Sequence, residues 1–215
     1  MKTSEARTGL WPLVHAERAA LAKDLAGLTE ADWDTPSRCE ELTVREVLAH
    51  LTAAANLTPL RWLAGVVRCR FDFDKQVAMR LAEHLGSSGA ETLARFDRVV
   101  ASTRKPPLPV VAMLGEVVVH GEDIRGPLGI HSDRPMETLT RVAEFYAGSD
   151  LMLPSRKHTR GLRLVATDGP FDSGSGPRVT GGTLALVMAM TGRTAYLDEL
   201  DGDGVEVLRQ RYAAG

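Results

Sequence analysis

The apolar segment from Val110 to Ile124 constrains the fold more than any other part of this chain. Its valine clusters favour a β-strand by local propensity. Three other features favour a helix: a length of about 15 residues, Pro109 at a first-turn position, and the Gly126-Pro127 pair that follows. Its apolar side chains would lie on every side of that helix, as in a helix buried within a bundle. We therefore predict a buried helix that stops at Gly126-Pro127.

Glu116 and His120 lie inside this segment, four residues apart. Side chains at positions i and i+4 share a helical face and lie about 6 Å apart. On a strand the same two residues would be roughly 13 Å apart, too far for one ion to join them. A metal site built on Glu116 and His120 therefore requires the helical form. The alternative without metal is a structural Glu–His pair, since a buried glutamate needs a partner.

A third candidate ligand, His50, lies on another predicted helix. Thr43 and Glu46 have the spacing of a capping box, which marks the start of that helix. His50 then falls on the apolar face with Leu51 and points toward the core. A lone histidine of this kind is more often a core residue than a ligand. Combined with Glu-x3-His from a different helix, it completes the ligand set of a catalytic zinc-like site, with three protein ligands and one open position.

Asp123 follows His120 by three residues and so lies on nearly the same helical face. It either accepts a hydrogen bond from the imidazole, which would set the tautomer, or caps the helix or pairs with Arg125 at the surface. The cysteines, Cys39 and Cys69, have no helical partner spacing, and we interpret both as structural. Solvent exposure is the expected state of three further histidines: His84, His131 and His158.

The hydrophobic pattern divides the chain into a helical part and a mixed part. Helical periodicity predicts helices over 5–27, from 43 onward, over 74–102 with a break at 86–89, over 110–124 and over 135–147. Pro59 either kinks the second helix or starts a new one. The later part of the sequence predicts a strand over 162–168, a loop over 169–177, and helices over 183–191 and 205–212. We expect a mainly α protein: a helical bundle over 1–148 and a small α+β domain over 149–215.

Composition narrows the possible partners and compartments. A net charge of −2 gives no reason to expect nucleic acid or an anionic membrane as a partner. No apolar run reaches the ~18 residues of a membrane span, and the N-terminus lacks a signal-peptide pattern. The two cysteines form no CxxC pair, so a cytoplasmic protein with reduced thiols is expected. There is no G-x-S-x-G motif of a serine hydrolase and no P-loop.

Several stretches together resemble the mycothiol-dependent maleylpyruvate isomerase family, part of the DinB-like metalloprotein superfamily. They are Trp33 with Pro36-Ser37-x-Cys39, residues 42–51, residues 115–125, and a tail stretch over 182–193. Leu42 departs from the pattern, because the family often has tryptophan there. The resemblance implies a DinB-like four-helix bundle that binds a divalent metal, with zinc the expected ion, at positions matching His50, Glu116 and His120. It also implies mycothiol as a thiol co-substrate.

The same resemblance implies a reaction type. The metal would hold the thiol as a thiolate, which would attack a small-molecule electrophile in an isomerisation or an S-transfer. Arg193 would bind a carboxylate of substrate or thiol, unless it is a surface arginine at a helix C-terminus. Two other functions stay open: a non-catalytic metal-binding or stress protein, and a metal-dependent hydrolase in which Asp123 or a nearby carboxylate assists as base. A homodimer is also possible.

Overall fold

The computed structural model describes residues 9–39 and 42–214 and divides into two compact units, Met1–Ser132 and Asp133–Gly215. The described helices of the first unit are α1 (Leu10–Leu25), α2 (Glu30–Trp33), α3 (Val44–Asn56), α4 (Pro59–Arg68), α5 (Phe73–His84), α6 (Gly89–Asp97) and α7 (Val110–Leu128). The second unit contains α8 (Met136–Gly148), α9 (Ser155–Thr159), β1 (Arg163–Ala166), β2 (Asp172–Gly174), β3 (Arg178–Gly181), α10 (Thr183–Met190), a 3-10 helix (Thr194–Glu199) and α11 (Gly204–Ala213). The prediction of a mainly α fold with a small α+β part is confirmed.

The central helix of the first unit is α3, which packs against α5, α6 and α7, while α1 packs against α7. It begins at the predicted capping box: the Glu46 amide donates to Thr43 Oγ1 at 3.3 Å, and the Thr43 amide donates to Glu46 Oε2 at 2.8 Å. Pro59 lies in the first turn of α4 with Thr58 as its cap, so it starts a new helix and does not kink α3. These signals set the start and the end of α3, the helix that carries His50.

The predicted helix over 74–102 breaks as expected but ends earlier. α5 ends at His84, α6 starts at Gly89, and α6 ends at Asp97. The buried Arg18 donates hydrogen bonds to the carbonyl oxygens of Val99 (3.3 Å) and Ser102 (2.8 Å). These carbonyls are therefore satisfied without further helix. The first helix ends at Leu25, near its predicted end, and its predicted start at residue 5 lies outside the described residues.

The segment that carries the candidate ligands is helical throughout, so its valines do not make it a strand. The predicted stop at Gly126-Pro127 is wrong, because α7 continues to Leu128 and is closed by Gly129 in a left-handed conformation (φ 65°). Pro127 has no amide to donate to the carbonyl of Asp123 four residues earlier. The Arg38 amide donates to that carbonyl at 3.0 Å, which compensates for the missing helical bond.

The second unit is built on a three-stranded sheet in the order β2-β1-β3, with β1 antiparallel to β2 and parallel to β3. β1 lies within the strand predicted over 162–168, whereas β2 lies in the segment predicted as a loop. The helix α8 packs against α9, α10 and β2. It therefore groups with the second unit, and the division falls between Ser132 and Asp133, whereas the sequence pattern placed it after Gly148.

One helix of the first unit turns an apolar face outward. Leu60, Leu63 and Val67, which we call the α4 face, are 81%, 54% and 62% exposed. Their spacing puts them on one side of α4, opposite the buried Gly65. Among the described residues, no helix is long and apolar enough to cross a membrane.

Candidate metal centre

The helix α7 presents three polar side chains on one face. Glu116, His120 and Asp123 follow the i, i+4, i+7 spacing that stacks side chains along one side of a helix. Most of the other residues of this helix are buried and apolar. A mostly buried helix thus presents three polar side chains along one stripe, and that stripe faces a histidine on α3.

His50 on α3 meets the stripe at Glu116. Its Nε2 lies 3.2 Å from Glu116 Oε2, and His120 Nε2 lies 3.8 Å from the same oxygen. The rings of His50 and His120 pack edge to face with centroids 5.0 Å apart. Two ligand atoms at about 2.0–2.1 Å from a tetrahedral zinc ion are about 3.4 Å apart. The two measured separations bracket that value, so the side chains fit a divalent ion with little movement.

The far side of His120 is held by Asp123. The imidazole Nδ1 lies 3.0 Å from Asp123 Oδ2, and the Asp123 side chain is fully buried. A carboxylate accepts only, so the proton of a neutral imidazole lies on Nδ1 and the lone pair lies on Nε2. The surface alternative predicted for Asp123 is wrong, because both Asp123 and Arg125 have no exposed surface and Arg125 donates to Asp24 at 2.8 Å.

This tautomer places two hydrogen-bond acceptors, one on His120 and one on Glu116, next to each other. His120 Nε2 and Glu116 Oε2 are then both acceptors, and two acceptors 3.8 Å apart repel unless a cation lies between them. A divalent ion or an added proton satisfies both atoms. The donor set of two imidazole nitrogens and one carboxylate oxygen suits Zn²⁺ and related ions. The residues therefore fit a metal, although the structural Glu–His pair would be satisfied by the proton alone.

The ligand side chains are partly accessible whereas the group behind them is sealed. His50 is 22% exposed, Glu116 and His120 are each 15% exposed, and Asp123 is 0% exposed. A small molecule can therefore approach the face formed by the first three side chains. Asp123 can orient His120 but offers no surface to solvent, which suits a group that acts through the histidine.

The structure also places a residue here that the spacing argument missed. A thiol sulfur of Cys39, a nitrogen of His120 and a carboxylate oxygen of Asp123 all lie within 4.8 Å of one another. Cys39 comes from the loop after α2, so no helical spacing relates it to the other two. The only available signal was its place in the Pro36-Ser37-x-Cys39 motif. The interpretation of Cys39 as a purely structural residue therefore overlooked its neighbours.

The other candidates lie elsewhere in the described chain. Arg193, in the second unit, donates to the Thr191 carbonyl at 2.8 Å, at the end of α10, which fits the alternative of an arginine at a helix C-terminus. His131 is exposed as expected. His84 and His158 are only partly exposed, and burial lowers the pKa of both imidazoles. The ring of His158 also packs edge to face on Tyr212.

Comparisons with known proteins concern the fold and the N-terminal part of the chain. Residues 14–107 match the family model described as the mycothiol maleylpyruvate isomerase N-terminal domain. Two solved structures are similar over 91% of this chain and 92% of theirs: a mycothiol-dependent maleylpyruvate isomerase (16% identity, TM-score 0.62) and a point mutant of such an enzyme (14% identity, TM-score 0.63). No curated protein matches. Residues 14–107 are thus similar to the mycothiol maleylpyruvate isomerase N-terminal domain, and the fold of the chain is similar to that of the two solved structures.

Proposed function

We propose that this protein is a divalent-metal-dependent enzyme that uses mycothiol as its thiol co-substrate and catalyses an isomerisation. The observation that carries the proposal is the convergence of His50 Nε2 and His120 Nε2 on one oxygen of Glu116, at 3.2 and 3.8 Å. The family match supports the thiol, since its domain is named for mycothiol. His50 lies inside the matched segment, and Glu116 and His120 follow it.

His50, Glu116 and His120 would hold the metal, with zinc the ion we propose. A bound divalent ion supplies a positive charge that favours the thiolate form of a nearby thiol at neutral pH. Glu116 balances part of that charge, and two neutral imidazoles leave the site with a net positive charge when it is loaded. Asp123 keeps the lone pair of His120 directed at the site through its 3.0 Å contact with Nδ1.

The proposed isomerisation needs a nucleophile that is returned at the end. The mycothiol thiolate adds to one carbon of a carbon–carbon double bond, and the displaced electron pair moves onto the oxygen of a conjugated carbonyl group as an enolate. The resulting carbon–carbon single bond rotates, the electron pair returns to re-form the double bond, and the thiolate leaves. No thiol is consumed, and the electrophile is released with changed geometry. His50 and Glu116 are partly exposed, so we expect both small molecules to approach the site from this face. Maleylpyruvate, the substrate named for the similar structures, is the first electrophile to test.

The buried state of Asp123 argues against this residue as the base of the hydrolase alternative. A hydrolytic water needs a base that it can reach. Asp123 has no exposed surface, and its carboxylate is engaged by His120 Nδ1. S-transfer uses the same thiol chemistry and differs only in having a leaving group on the electrophile, so turnover products separate it from isomerisation. Arg193 remains a proposed carboxylate-binding residue for either reaction.

Metal content provides the first test. We expect purified wild-type protein to carry about one divalent ion per chain by elemental analysis, and the His120→Ala variant to carry little. His131→Ala is the matched control, because His131 is exposed and outside the cluster. Equal metal content in wild-type protein and His120→Ala would show that the ligand assignment is wrong.

Thiol binding and turnover provide the second test. Calorimetric titration with mycothiol should give binding to the metal-loaded protein and much weaker binding to the metal-free protein. Conversion of maleylpyruvate that requires both metal and mycothiol would establish the proposed activity. Metal binding without any thiol binding or turnover would instead identify a non-catalytic metal-binding protein.

A further inference from the structure

The loop that carries Cys39 is fixed against the C-terminal half of α7. The Arg38 amide donates to the Asp123 carbonyl at 3.0 Å. A β-carbon at Gly126 would lie only 2.6 Å from the guanidinium carbon of Arg38, so the glycine allows this close approach. Ser37 Oγ accepts from the Cys39 amide and donates to the Cys39 carbonyl, both at 3.1 Å. The backbone of Cys39 is therefore held in place beside Asp123.

The side chains at this point form a second group of metal-type ligands. The sulfur of Cys39, a nitrogen of His120 and an oxygen of Asp123 lie within 4.8 Å of one another, and His120 Nδ1 is 3.0 Å from Asp123 Oδ2. With Zn–S of about 2.3 Å and Zn–N of about 2.0–2.1 Å, sulfur and nitrogen on one tetrahedral ion are about 3.6 Å apart. The group is thus compact enough for one ion after small side-chain rotations.

We propose that Cys39, Asp123 and His120 form a second metal position that takes thiophilic ions such as Cd²⁺. Thiolate ligands favour soft ions, whereas the first set of His50, Glu116 and His120 contains no sulfur. This proposal does not rest on the proposed function, because it needs neither thiol co-substrate nor turnover. It adds a role for the loop after α2, which the first site leaves unused.

The shared histidine couples the two positions. A neutral imidazole has one lone pair, on either Nδ1 or Nε2. When an ion binds at Nδ1, the proton lies on Nε2. That nitrogen then has no lone pair to offer, so His120 can no longer act as a ligand in the first set. A thiophilic ion at the second position therefore weakens the first site, and the two ions compete although their other ligands differ.

Cadmium absorption separates the two positions. Metal-free protein titrated with Cd²⁺ should develop the ultraviolet charge-transfer band of a cadmium thiolate, with about one ion per chain. We expect Cys39→Ser to lose the band and to bind Cd²⁺ at least tenfold more weakly. Cys69→Ser is the matched control and should keep the band, because Cys69 is outside both ligand groups. His50→Ala should also keep it, since His50 belongs only to the first set.

Each outcome decides the proposal. Absence of the band in folded wild-type protein, or its persistence in Cys39→Ser, would overturn the second position. Cys39→Ala serves as a second variant if Cys39→Ser does not fold, as judged by circular dichroism. Failure of the first site has a different signature: His50→Ala would then leave Zn²⁺ binding unchanged, whatever happens to the cadmium band.

Discussion

Replacement of Asp123 by asparagine tests how the candidate centre is built. The change keeps the size of the side chain and leaves an oxygen that can accept the hydrogen bond from His120 Nδ1. What is lost is the negative charge of a fully buried acceptor 3.0 Å from the imidazole. A hydrogen bond to a charged group contributes about 1.5–3 kcal/mol, and a neutral one about 0.5–1.5 kcal/mol. The difference of roughly 1–1.5 kcal/mol corresponds to about a tenfold loss of zinc affinity.

The assay is competition for Zn²⁺ against a chromophoric chelator at one fixed pH. It is best done with Cys39→Ser in the background, so that only the first position is measured. Asp123→Ala should cost more, up to about a hundredfold, because the hydrogen bond itself is lost. Glu122→Gln is the matched control, since it removes a carboxylate from the neighbouring position on α7. An Asp123→Asn variant that folds and binds zinc within twofold of its parent would refute the orienting role of Asp123.

Three further predictions concern the scaffold. Gly89→Ala should lower the free energy of unfolding by about 1–3 kcal/mol, because the added β-carbon would lie 1.9 Å from Cδ1 of the buried Trp33. Gly27→Ala is the control: its β-carbon would have no atom within 4 Å, so chemical denaturation should show almost no change in stability. Burial raises the pKa of Tyr212 to about 12, so its stabilising contribution is present below pH 10 and is lost as the pH rises toward 12. At about 1.4 kcal/mol per pKa unit, wild-type protein should lose about 2–3 kcal/mol relative to the phenylalanine variant over that interval, and parallel pH profiles would contradict this. If the chain forms a homodimer through the α4 face, Leu63→Glu should convert it to a monomer in sedimentation experiments. Helix content should not change, because the Leu63 side chain is 54% exposed. A wild-type monomer would rule the dimer out.

Local signals were sufficient where the physical cause is local. The capping box of Thr43 and Glu46 acts within a single turn, so it marks the start of α3 correctly. The end of α7 is different. The Gly126-Pro127 pair predicts the end of a helix. The Arg38 amide, from a loop distant in the sequence, donates the hydrogen bond to the Asp123 carbonyl that Pro127 cannot, and the helix continues to Leu128. No pattern within α7 itself contains that information.

The division between the two units shows the same limit. The sequence pattern changes character after Gly148, where strands begin to alternate with helices. The helix α8 is a well-formed amphipathic helix, and nothing in its own periodicity says which neighbours it packs against. Its contacts with α9, α10 and β2 place it in the second unit. Helix periodicity identifies a buried face but not the partner of that face.

The sequence by itself determined which residues can act together on one helix. Glu116, His120 and Asp123 follow from helical geometry alone, because the i, i+4, i+7 spacing allows no other arrangement once α7 is a helix. Only the tertiary structure decided that His50 meets them, that Asp123 is sealed behind His120, and that Cys39 lies beside both. The physical reason is the range of the interactions involved: hydrogen bonds within a helix join residues four positions apart, whereas contacts between helices and loops join residues far apart in the sequence, 66 positions for His50 and Glu116.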